Sequence, residues 1–385
     1  MQYRRFGKTG CELSAITLGG MRYAHAWTPP RTELRRETIE HCRSCVQLAL
    51  DAGINHIEAA YGYGTSEQAY GKVLGPELRV PRERYSLMTK GRPETAKDAY
   101  KLVERQLRDL GVERIDLYAW HGLNDEDTLR KVCKRGGAVE ALLRMVEQGL
   151  IGSVGFSTHA RTDVILSAIW TELFAFVNLH YYYFFQNNAP AVAAAAARDM
   201  GVFIISPNDK GGRLFNAPPS LRALTAPATP IQWNARFCLS RPGVHTLSFG
   251  MTEPAHFAEM RGIFPLCHPL SADDTAALAR LDAQLERDPF SRYHGLELYD
   301  DPSGINVPEV LRLRRLWKCY DMLDYGRYRY NMFANADPWY PGALVSEQSL
   351  RKMDAGRFPP GIDVKALLRE THDGLYGEEK PESGH

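Results

Sequence analysis

The sequence lacks any long apolar run and any block of basic residues. No stretch approaches the ~18 apolar residues that a membrane helix needs, so no membrane span is expected. The 385 residues carry a formal net charge of +1 without a dense cluster of lysine and arginine, which argues against a nucleic-acid partner. The first residues, Met1 to Gly7, contain no apolar segment of the kind found in secretory signals. We therefore expect a cytoplasmic protein.

Cysteine is also sparse. The seven cysteines are scattered and odd in number, which predicts free thiols in a reducing compartment rather than a disulfide framework. Cys42 and Cys45 have the spacing of a redox motif. They lie within a helical pattern, not at a strand-to-helix turn where a reactive thiolate would be stabilised, so we interpret them as core residues.

What the sequence does have is a repeated alternation of short apolar runs and helical segments. Eight apolar runs occur, near residues 15–19, 56–60, 85–89, 115–120, 153–157, 174–181, 202–206 and 245–250. Residues 99–110 show the apolar period of a helix, and the alanine-rich residues 189–200 predict another helix that ends at Gly201. Eight strand–helix units predict an α/β protein built on a closed (β/α)8 TIM barrel of about 250 residues.

Two additions flank this barrel. Residues 3–14 alternate around a Gly-Lys-Thr-Gly turn, which predicts a β-hairpin that closes the bottom of the barrel. After about residue 288 the alternation stops, and aromatic, proline and charged residues increase. Residues 302–313 and 359–370 share a pattern of turn, short extended piece and helix start, which suggests a two-fold repeat. We expect two domains, 1–288 and 289–385, of which the second is mostly helical.

Polar residues stand where successive apolar runs end. Glu58 and Tyr63 follow the second run, Lys90 ends the third, and His121 ends the fourth. In a barrel of parallel strands these ends meet at one rim, where such folds carry their chemistry. Taken singly, each residue would most often be a packing or solvated residue. Together, a carboxylate, a phenol, an ammonium and an imidazole predict a proton-delivery site.

The segments around these residues resemble the aldo-keto reductase family. The matching segments are Glu58-Ala-Ala-Tyr-Gly-Tyr63-Gly followed by Ser66-Glu67, Met88-Thr89-Lys90, Asp116-Leu-Tyr-Ala-Trp-His121 and Gly149-Leu-Ile-Gly-Ser-Val-Gly-Phe-Ser157. The resemblance extends from about Met1 to about Asp288. It implies an NAD(P)-dependent oxidoreductase that reduces an aldehyde, ketone or sugar-like carbonyl to an alcohol, or catalyses the reverse reaction.

The resemblance also implies a catalytic tetrad of Glu58, Tyr63, Lys90 and His121. A tyrosine with a pKa near ~10 is a weak acid, and an adjacent Lys90 ammonium is expected to lower the pKa of Tyr63. Glu58 would hold Lys90, and His121 would donate a hydrogen bond to the substrate oxygen that Tyr63 protonates. The family has an aspartate where Glu58 stands and a threonine at Ala59. The extra methylene is compatible with an active or a weakened enzyme.

Cofactor binding would come from other residues of the rim, because no Gly-x-Gly-x-x-Gly fingerprint follows the first strand. The resemblance implies NADPH, with NADH as an alternative. The candidate cofactor-binding residues are Gly20, Met21, Ser157, Thr158, Asn178, Ser206, Asn208, Lys210, Gly212, Gly250, Thr252, His256 and Glu259. The glycine-rich segment after the seventh strand suits a pyrophosphate. The helix after the eighth strand suits the adenosine phosphate.

The tail resembles a ferredoxin-like domain that some relatives of this family carry. Its two repeated segments are similar to the Cys-Pro-x-Gly-Ile that ends an iron–sulfur binding run. Asp301 and Phe358 occupy the cysteine positions, and the tail contains only Cys319, whereas a four-iron cluster needs about four thiolates. We therefore expect a degenerate ferredoxin-like extension with no iron–sulfur cluster and no other metal site.

Other functions stay open. A cofactor-binding sensor or assembly protein with little turnover would account for Glu58, Ala59 and the Ile205 that replaces a frequent tyrosine, whereas electron transfer through the tail is nearly excluded. The expected partner is a small carbonyl or alcohol, and the oligomeric state is unknown. Selectivity would come from residues 24–36 and 122–134 and from the tail. We interpret the aromatic residues 181–185 as packing rather than as a ligand wall.

Overall fold

The computed structural model describes residues 1–26, 33–291, 293, 301–335 and 339–377, and its main feature is a closed barrel of eight parallel strands. The strands in chain order are β1 (Tyr3–Arg5), β2 (Glu12–Ser14), β3 (Ile16–Gly19), β4 (His56–Glu58), β5 (Ser86–Gly91), β6 (Ile115–His121), β7 (Ile151–Ser157), β8 (Phe176–Leu179), β9 (Gly201–Ile204) and β10 (Thr246–Ser248). Strands β3 to β10 pair in sequence order, and β10 pairs with β3 to close the barrel. Each of the eight predicted runs overlaps a barrel strand, so the predicted fold is confirmed.

Helices connect the strands. They are α1 (Arg36–Asp51), α2 (Ser66–Lys72), α3 (Ala96–Leu110), α4 (Glu126–Cys133), α5 (Ala138–Glu147), α6 (Thr162–Trp170), α7 (Ala189–Ala197), α8 (Pro219–Thr225), α9 (Pro230–Ser240) and α10 (Pro254–Arg261). In α3, the Thr95 side chain accepts a hydrogen bond from the Asp98 N–H at the first turn, and Gly111 ends the helix in the left-handed conformation. The predicted helix 189–200 is too long, because α7 ends at Ala197 and Gly201 already begins β9.

The alternation of side chains along each strand decides what fills the barrel. One apolar cluster occupies the lumen, made of Phe6, Leu13, Met88, Leu117, Ala119, Phe176 and Phe203. Phe6 and Leu13 come from the hairpin segment, in which β1 and β2 pair antiparallel, so the hairpin closes one end of the barrel as predicted. Residues two positions beyond the cluster residues share their side of the strand. Lys90, His121 and Asn178 therefore also face the lumen.

Two further sequence interpretations concern packing inside the barrel unit. Cys42 and Cys45 are buried on α1, and burial raises the pKa of Cys45 to about 12, as expected for core thiols. Tyr181 to Phe184 are also buried, and the Tyr181 ring stacks on Phe237 of α9 at 6.1 Å between centroids. Both segments are therefore packing elements in this structure.

The chain divides into two compact units, residues 1–209 with 234–270 and residues 210–233 with 271–385. The second unit is helical, as predicted, and its helices beyond residue 271 are α11 (Ala272–Gln284), α12 (Val307–Tyr320), α13 (Leu323–Asn331), α14 (Glu347–Lys352) and α15 (Val364–Leu375). The division into compact units does not show from which protein family the second unit derives. The domain limit at residue 288 and the ferredoxin-like origin therefore stay predictions. None of the helices in the described ranges has the length and apolar character needed to cross a bilayer.

The two repeated tail segments adopt the same local structure. Gly304 and Gly361 both have positive φ, at 78° and 89°, and each is followed two residues later by a helix cap. The Asn306 side chain accepts a hydrogen bond from the Glu309 N–H at 3.2 Å, and the Asp363 side chain accepts one from the Ala366 N–H at 2.9 Å. Helices α12 and α15 begin directly after these caps. The repeat predicted from the sequence is therefore present in the backbone.

The barrel lumen also contains a histidine that is poorly placed to accept a proton. His56 is fully buried, and its Nδ1 lies 2.7 Å from the Thr17 hydroxyl. Burial and the nearby charge of Lys90 lower the pKa of His56 to about 3. A histidine in the unfolded chain titrates near ~6.5, so between about pH 6.5 and pH 3 the unfolded chain binds one more proton than the folded chain.

We expect this histidine to make the fold acid-sensitive. The free energy of unfolding should fall as the pH drops below about 6.5, by roughly 1.4 kcal/mol per pH unit from this group alone. His56→Gln, which cannot titrate, should show a weaker loss of stability between pH 7 and pH 5 in urea unfolding. His268→Gln, at an exposed position, is the matched control. Equal pH dependence of the His56 variant and the wild type would contradict this account.

Candidate active site

The four residues predicted for catalysis meet at the carboxyl-terminal ends of three neighbouring strands. Glu58 is the last residue of β4, Lys90 is the penultimate residue of β5, and His121 ends β6. Tyr63 lies in the loop after β4, which is tied to β5 because the Tyr61 N–H donates to the Lys90 carbonyl at 2.8 Å. The rim position expected from the strand ends is therefore the observed one.

The lysine is the centre of the constellation. Its Nζ donates a hydrogen bond to the Tyr63 hydroxyl at 2.7 Å and forms an ion pair with Glu58 Oε1. The Tyr63 and His121 rings are perpendicular, with centroids 5.7 Å apart. Lys90 is 1% exposed and Glu58 4%, whereas Tyr63 and His121 are partly exposed. A ligand at the rim would thus meet the phenol and the imidazole, with the ion pair behind them.

Burial dominates the electrostatics of this site. It lowers the pKa of Lys90 well below its usual value, although the contact with the Glu58 carboxylate opposes that shift. Burial raises the pKa of Tyr63 above its usual value. The expectation that Lys90 lowers the pKa of Tyr63 is therefore wrong for this structure, because the cost of desolvating the phenolate outweighs the attraction of the amine. Tyr63 holds its proton throughout the neutral range.

The histidine at the rim is neutral at physiological pH. Burial, together with the positive charges of Lys90 and Arg92, lowers the pKa of His121 well below its usual value. A neutral imidazole has one N–H donor and one acceptor nitrogen. His121 can therefore donate a hydrogen bond to a substrate oxygen without carrying a charge.

A glycine on the neighbouring strand lies beside the Glu58 carboxylate. Gly19 of β3 pairs with Glu58 in the barrel register. A Cβ atom at Gly19 would lie 3.4 Å from Glu58 Oε2 and 3.1 Å from the Ser248 hydroxyl. The longer Glu58 side chain thus lies against β3, and its carboxylate reaches Lys90.

Three of the predicted cofactor residues continue the rim beyond His121. His121 pairs with Ser157, and Ser157 pairs with Asn178, across β6, β7 and β8. The Ser157 hydroxyl accepts a hydrogen bond from the Gly122 N–H at 3.2 Å, and the Thr158 hydroxyl donates to the Leu123 carbonyl at 2.7 Å. Asn178 Oδ1 is buried without a partner among the described residues. An unsatisfied amide oxygen suits a nicotinamide carboxamide, which has N–H groups to donate.

The next six predicted cofactor residues lie in the loops after β9 and β10 and in α10. Gly250 and Thr252 lie between β10 and α10. The Thr252 N–H donates to His256 Nδ1 at 3.2 Å, so the His256 ring lies over the start of α10. Glu259 is in the same helix. Asn208 follows Ser206, donates to the Phe249 carbonyl at 2.8 Å, and leaves its buried Oδ1 without a described partner.

The last four predicted cofactor residues are distributed over both units. Gly20 donates its N–H to the Glu58 carbonyl at 2.8 Å, and Met21 follows it. Lys210 and Gly212 belong to the second unit, where the Tyr325 hydroxyl donates to the Lys210 carbonyl. The phosphate-binding role of Lys210 and Gly212 stays a prediction. Residues 27–32 of the predicted selectivity loop 24–36 lie outside the described residues.

Sequence reasoning missed several polar contacts at this rim. Arg22 and Asp209, which follow β3 and β9, form an ion pair at 3.0 Å. His159 Nδ1, after β7, lies 2.8 Å from His180 Nε2, after β8. All four residues come shortly after a strand end. The position of a polar residue relative to each strand end was therefore the signal that could have identified them.

Comparisons with known proteins identify relatives of this chain. The sequence profile of the aldo/keto reductase family matches residues 15–215, more than half of the chain. L-glyceraldehyde 3-phosphate reductase of Escherichia coli strain K12 is 24% identical over 175 residues, which cover 42% of this chain and 46% of that protein. A putative voltage-gated potassium channel subunit beta of Schizosaccharomyces pombe is 34% identical over 90 residues, 23% of this chain and 24% of that protein. The chain thus spans less than half the length of these curated relatives.

Solved structures share the fold. A putative aldo-keto reductase from Pseudomonas aeruginosa gives a TM-score of 0.53 at 24% identity, covering 72% of this chain and 95% of that chain. The holo form of an aldo-keto reductase from Bacillus halodurans gives a TM-score of 0.58 at 18% identity, covering 73% and 96%. At these identities the likeness concerns the fold alone.

The buried ion pair should dominate the stability of this rim. Glu58→Leu would leave the Lys90 ammonium buried without its carboxylate, at an expected cost of about 3–5 kcal/mol in the free energy of unfolding. The double variant Glu58→Leu/Lys90→Met removes both charges and should recover most of that loss. Urea unfolding of the two single variants and the double variant measures the coupling. A double variant less stable than both single variants would contradict a buried ion pair.

Proposed function

The chain belongs to the aldo/keto reductase family, and from that premise we propose that it moves hydride between a nicotinamide cofactor and a small carbonyl or alcohol, with Tyr63 as the proton donor and acceptor. The observation that carries the proposal is the 2.7 Å hydrogen bond from Lys90 Nζ to the Tyr63 hydroxyl, backed by the ion pair of Lys90 with Glu58. This arrangement supports a reversible proton transfer at the phenolic oxygen.

The raised pKa of Tyr63 fits the role of an acid. The phenol is protonated before reaction, so it can give its proton to a developing alkoxide, which is a far stronger base than a phenolate. The phenolate that remains accepts the hydrogen bond from Lys90, whose amine lies close enough to stabilise it. Glu58 keeps Lys90 oriented throughout. His121, neutral and partly exposed, donates a hydrogen bond that directs the substrate oxygen toward Tyr63.

A bound nicotinamide would supply or accept the hydride, as is general in this family. Ser157 and Asn178 would hold its carboxamide, and the unpartnered Asn178 Oδ1 supports this assignment. Gly250, Thr252 and His256 would face the adenosine phosphate. We propose NADPH as the preferred cofactor and NADH as the alternative.

The substrate proposal is limited to a class. One relative is named for an aldehyde that carries a phosphate, L-glyceraldehyde 3-phosphate, so this compound belongs in a panel of aldehydes, ketones and sugars. A second candidate function is a cofactor-binding sensor or assembly protein with little turnover. Glu58 and Ile205 at positions of family aspartate and tyrosine favour it, as does the partial similarity to a potassium channel subunit beta.

The decisive variant is Tyr63→Phe, which removes one oxygen and keeps the ring. Turnover of the carbonyl panel should fall by about 100-fold or more, because general acid catalysis contributes about 10²–10⁴-fold. The Kd for NADPH, followed by cofactor fluorescence, should stay within about twofold because the phenol is not placed among the cofactor residues.

Tyr61→Phe, two residues earlier in the same loop, is the matched control. A Tyr63→Phe enzyme that keeps full turnover would contradict the proposal. A wild-type protein that binds NADPH tightly but does not oxidise it in a single-turnover experiment with the panel would favour the sensor.

Glu58→Asp tests whether the site is built around the longer carboxylate. Shortening the side chain withdraws the carboxylate by ~1.3 Å from Lys90. Errors of ~1 Å in such positions can cost up to about 100-fold, so kcat should fall by at least about tenfold. The measurement is kcat at saturating cofactor. A kcat well above that of the wild type would instead show that Glu58 weakens catalysis at this site.

A further inference from the structure

A second buried carboxylate lies on the other side of β5 from the active site. Glu67 of α2 is 4% exposed, and its Oε1 accepts a hydrogen bond from the Thr89 hydroxyl at 2.5 Å and from Gln106 Nε2 at 2.6 Å. Thr89 and Gln106 are both fully buried. Thr89 precedes Lys90 on β5, so strand alternation sends the two side chains to opposite faces.

This network reaches the catalytic lysine through its backbone. Gln106 Nε2 also donates to the Lys90 carbonyl oxygen at 3.1 Å. The same oxygen accepts the Tyr61 N–H at 2.8 Å, at the start of the loop that carries Tyr63. One carbonyl oxygen therefore joins the Glu67 network to both partners of the Lys90–Tyr63 hydrogen bond.

The strand end between them has little freedom to shift. A Cβ atom at Gly91 would lie 2.5 Å from the Tyr118 hydroxyl and 2.5 Å from Leu102 Cδ2, so the backbone after Lys90 is closely packed on the side opposite the Lys90 side chain. Stability alone does not call for a carboxylate here. A buried charge is costly, and apolar residues of similar size would often be equally stable. Polar groups that are fully connected, however, fix a single geometry.

We propose that Glu67, Thr89 and Gln106 form a positioning clamp, which holds the end of β5 that carries Lys90 and the loop that carries Tyr63 in the register that proton transfer needs. The inference rests on the proposed function of Tyr63. Glu67 acts through Gln106 and the Lys90 carbonyl and does not touch the substrate, so it is a positioning residue.

The clamp should depend on pH. Burial raises the pKa of Glu67 to about 7, with Asp109 adding to the rise and the hydrogen bonds of Thr89 and Gln106 and the charge of Arg105 opposing it. Burial raises the pKa of the nearby Tyr118 phenol, and the Glu67 carboxylate adds to that rise. Hydrogen bonds to an ionised acceptor are roughly twice as strong as those to a neutral one. The clamp therefore tightens as the pH rises through about 7.

Thr89→Val tests the clamp with an almost unchanged side-chain shape. It removes one donor to Glu67, and we expect kcat for carbonyl reduction to fall by about tenfold with KM within about twofold, because positioning affects the chemical step more than binding. Thr171→Val, at the end of α6, is the matched control and should leave kcat unchanged. Melting temperatures of both variants show whether each is folded.

Glu67→Gln separates positioning from simple packing. Its amide oxygen can accept both hydrogen bonds but cannot ionise. It should match the kcat of the wild type near pH 6 and lack the rise that the wild type shows between about pH 6 and pH 8. Identical pH profiles of the two proteins, or a Thr89→Val enzyme with wild-type kcat, would overturn the clamp.

Failure of the proposed function would give a different pattern. In that case Tyr63→Phe would be as active as the wild type, or neither protein would turn over. A crystal structure of Thr89→Val then still tests the clamp without activity. A Lys90–Tyr63 distance longer than 2.7 Å by a few tenths of an ångström supports it, and an unchanged distance contradicts it.

Discussion

The structure depends on an ammonium that is held out of water by a closed barrel and compensated by one carboxylate. Lys90 and Glu58 are almost completely buried, and neither charge would be tolerated there without the other. The alternation of β4, β5 and β6 places Glu58, Lys90 and His121 on the lumen side, directly above the apolar cluster. The apolar cluster in the lumen and the ion pair above it are thus two consequences of the same strand register.

Burial also determines the protonation states of the Tyr63 phenol and the Lys90 amine. In water a lysine beside a tyrosine would favour the phenolate, but here desolvation raises the pKa of Tyr63 and lowers that of Lys90. Both shifts favour the neutral forms, and only the contact with Glu58 favours the charged lysine. Tyr63 is therefore protonated before reaction. When its proton leaves toward the rim, the phenolate that remains is stabilised by the hydrogen bond that Lys90 already donates.

The features that could be predicted from the sequence are those that depend on short stretches of the chain. Apolar runs indicated the eight strands, and the polar residues at the ends of the second, third and fourth runs indicated the candidate site, because both depend on short-range periodicity. The features that sequence reasoning missed depend on residues far apart in the chain. Gly19 lies beside Glu58 from a neighbouring strand, and Gln106 reaches Glu67 from another helix. The direction of the pKa shift of Tyr63 was also missed, because burial is a property of the closed barrel and not of the motif around the residue.

The two repeated tail segments share one local structure, although the residues that precede them make different contacts. Asp301 and Phe358 stand where the family resemblance places cysteines, and both have found other partners. Asp301 accepts hydrogen bonds from the Ser303 N–H at 2.9 Å and the Asp354 N–H at 3.3 Å, which ties the start of the first repeated segment to a residue that precedes the second. Phe358 lies 6.2 Å from the Phe290 ring in an edge-to-face contact. Within the described ranges no three histidine, cysteine or acidic side chains are arranged to hold a metal. Hydrogen bonds and ring contacts thus hold the chain at these two positions, and the positive-φ glycines allow the turn that both segments share.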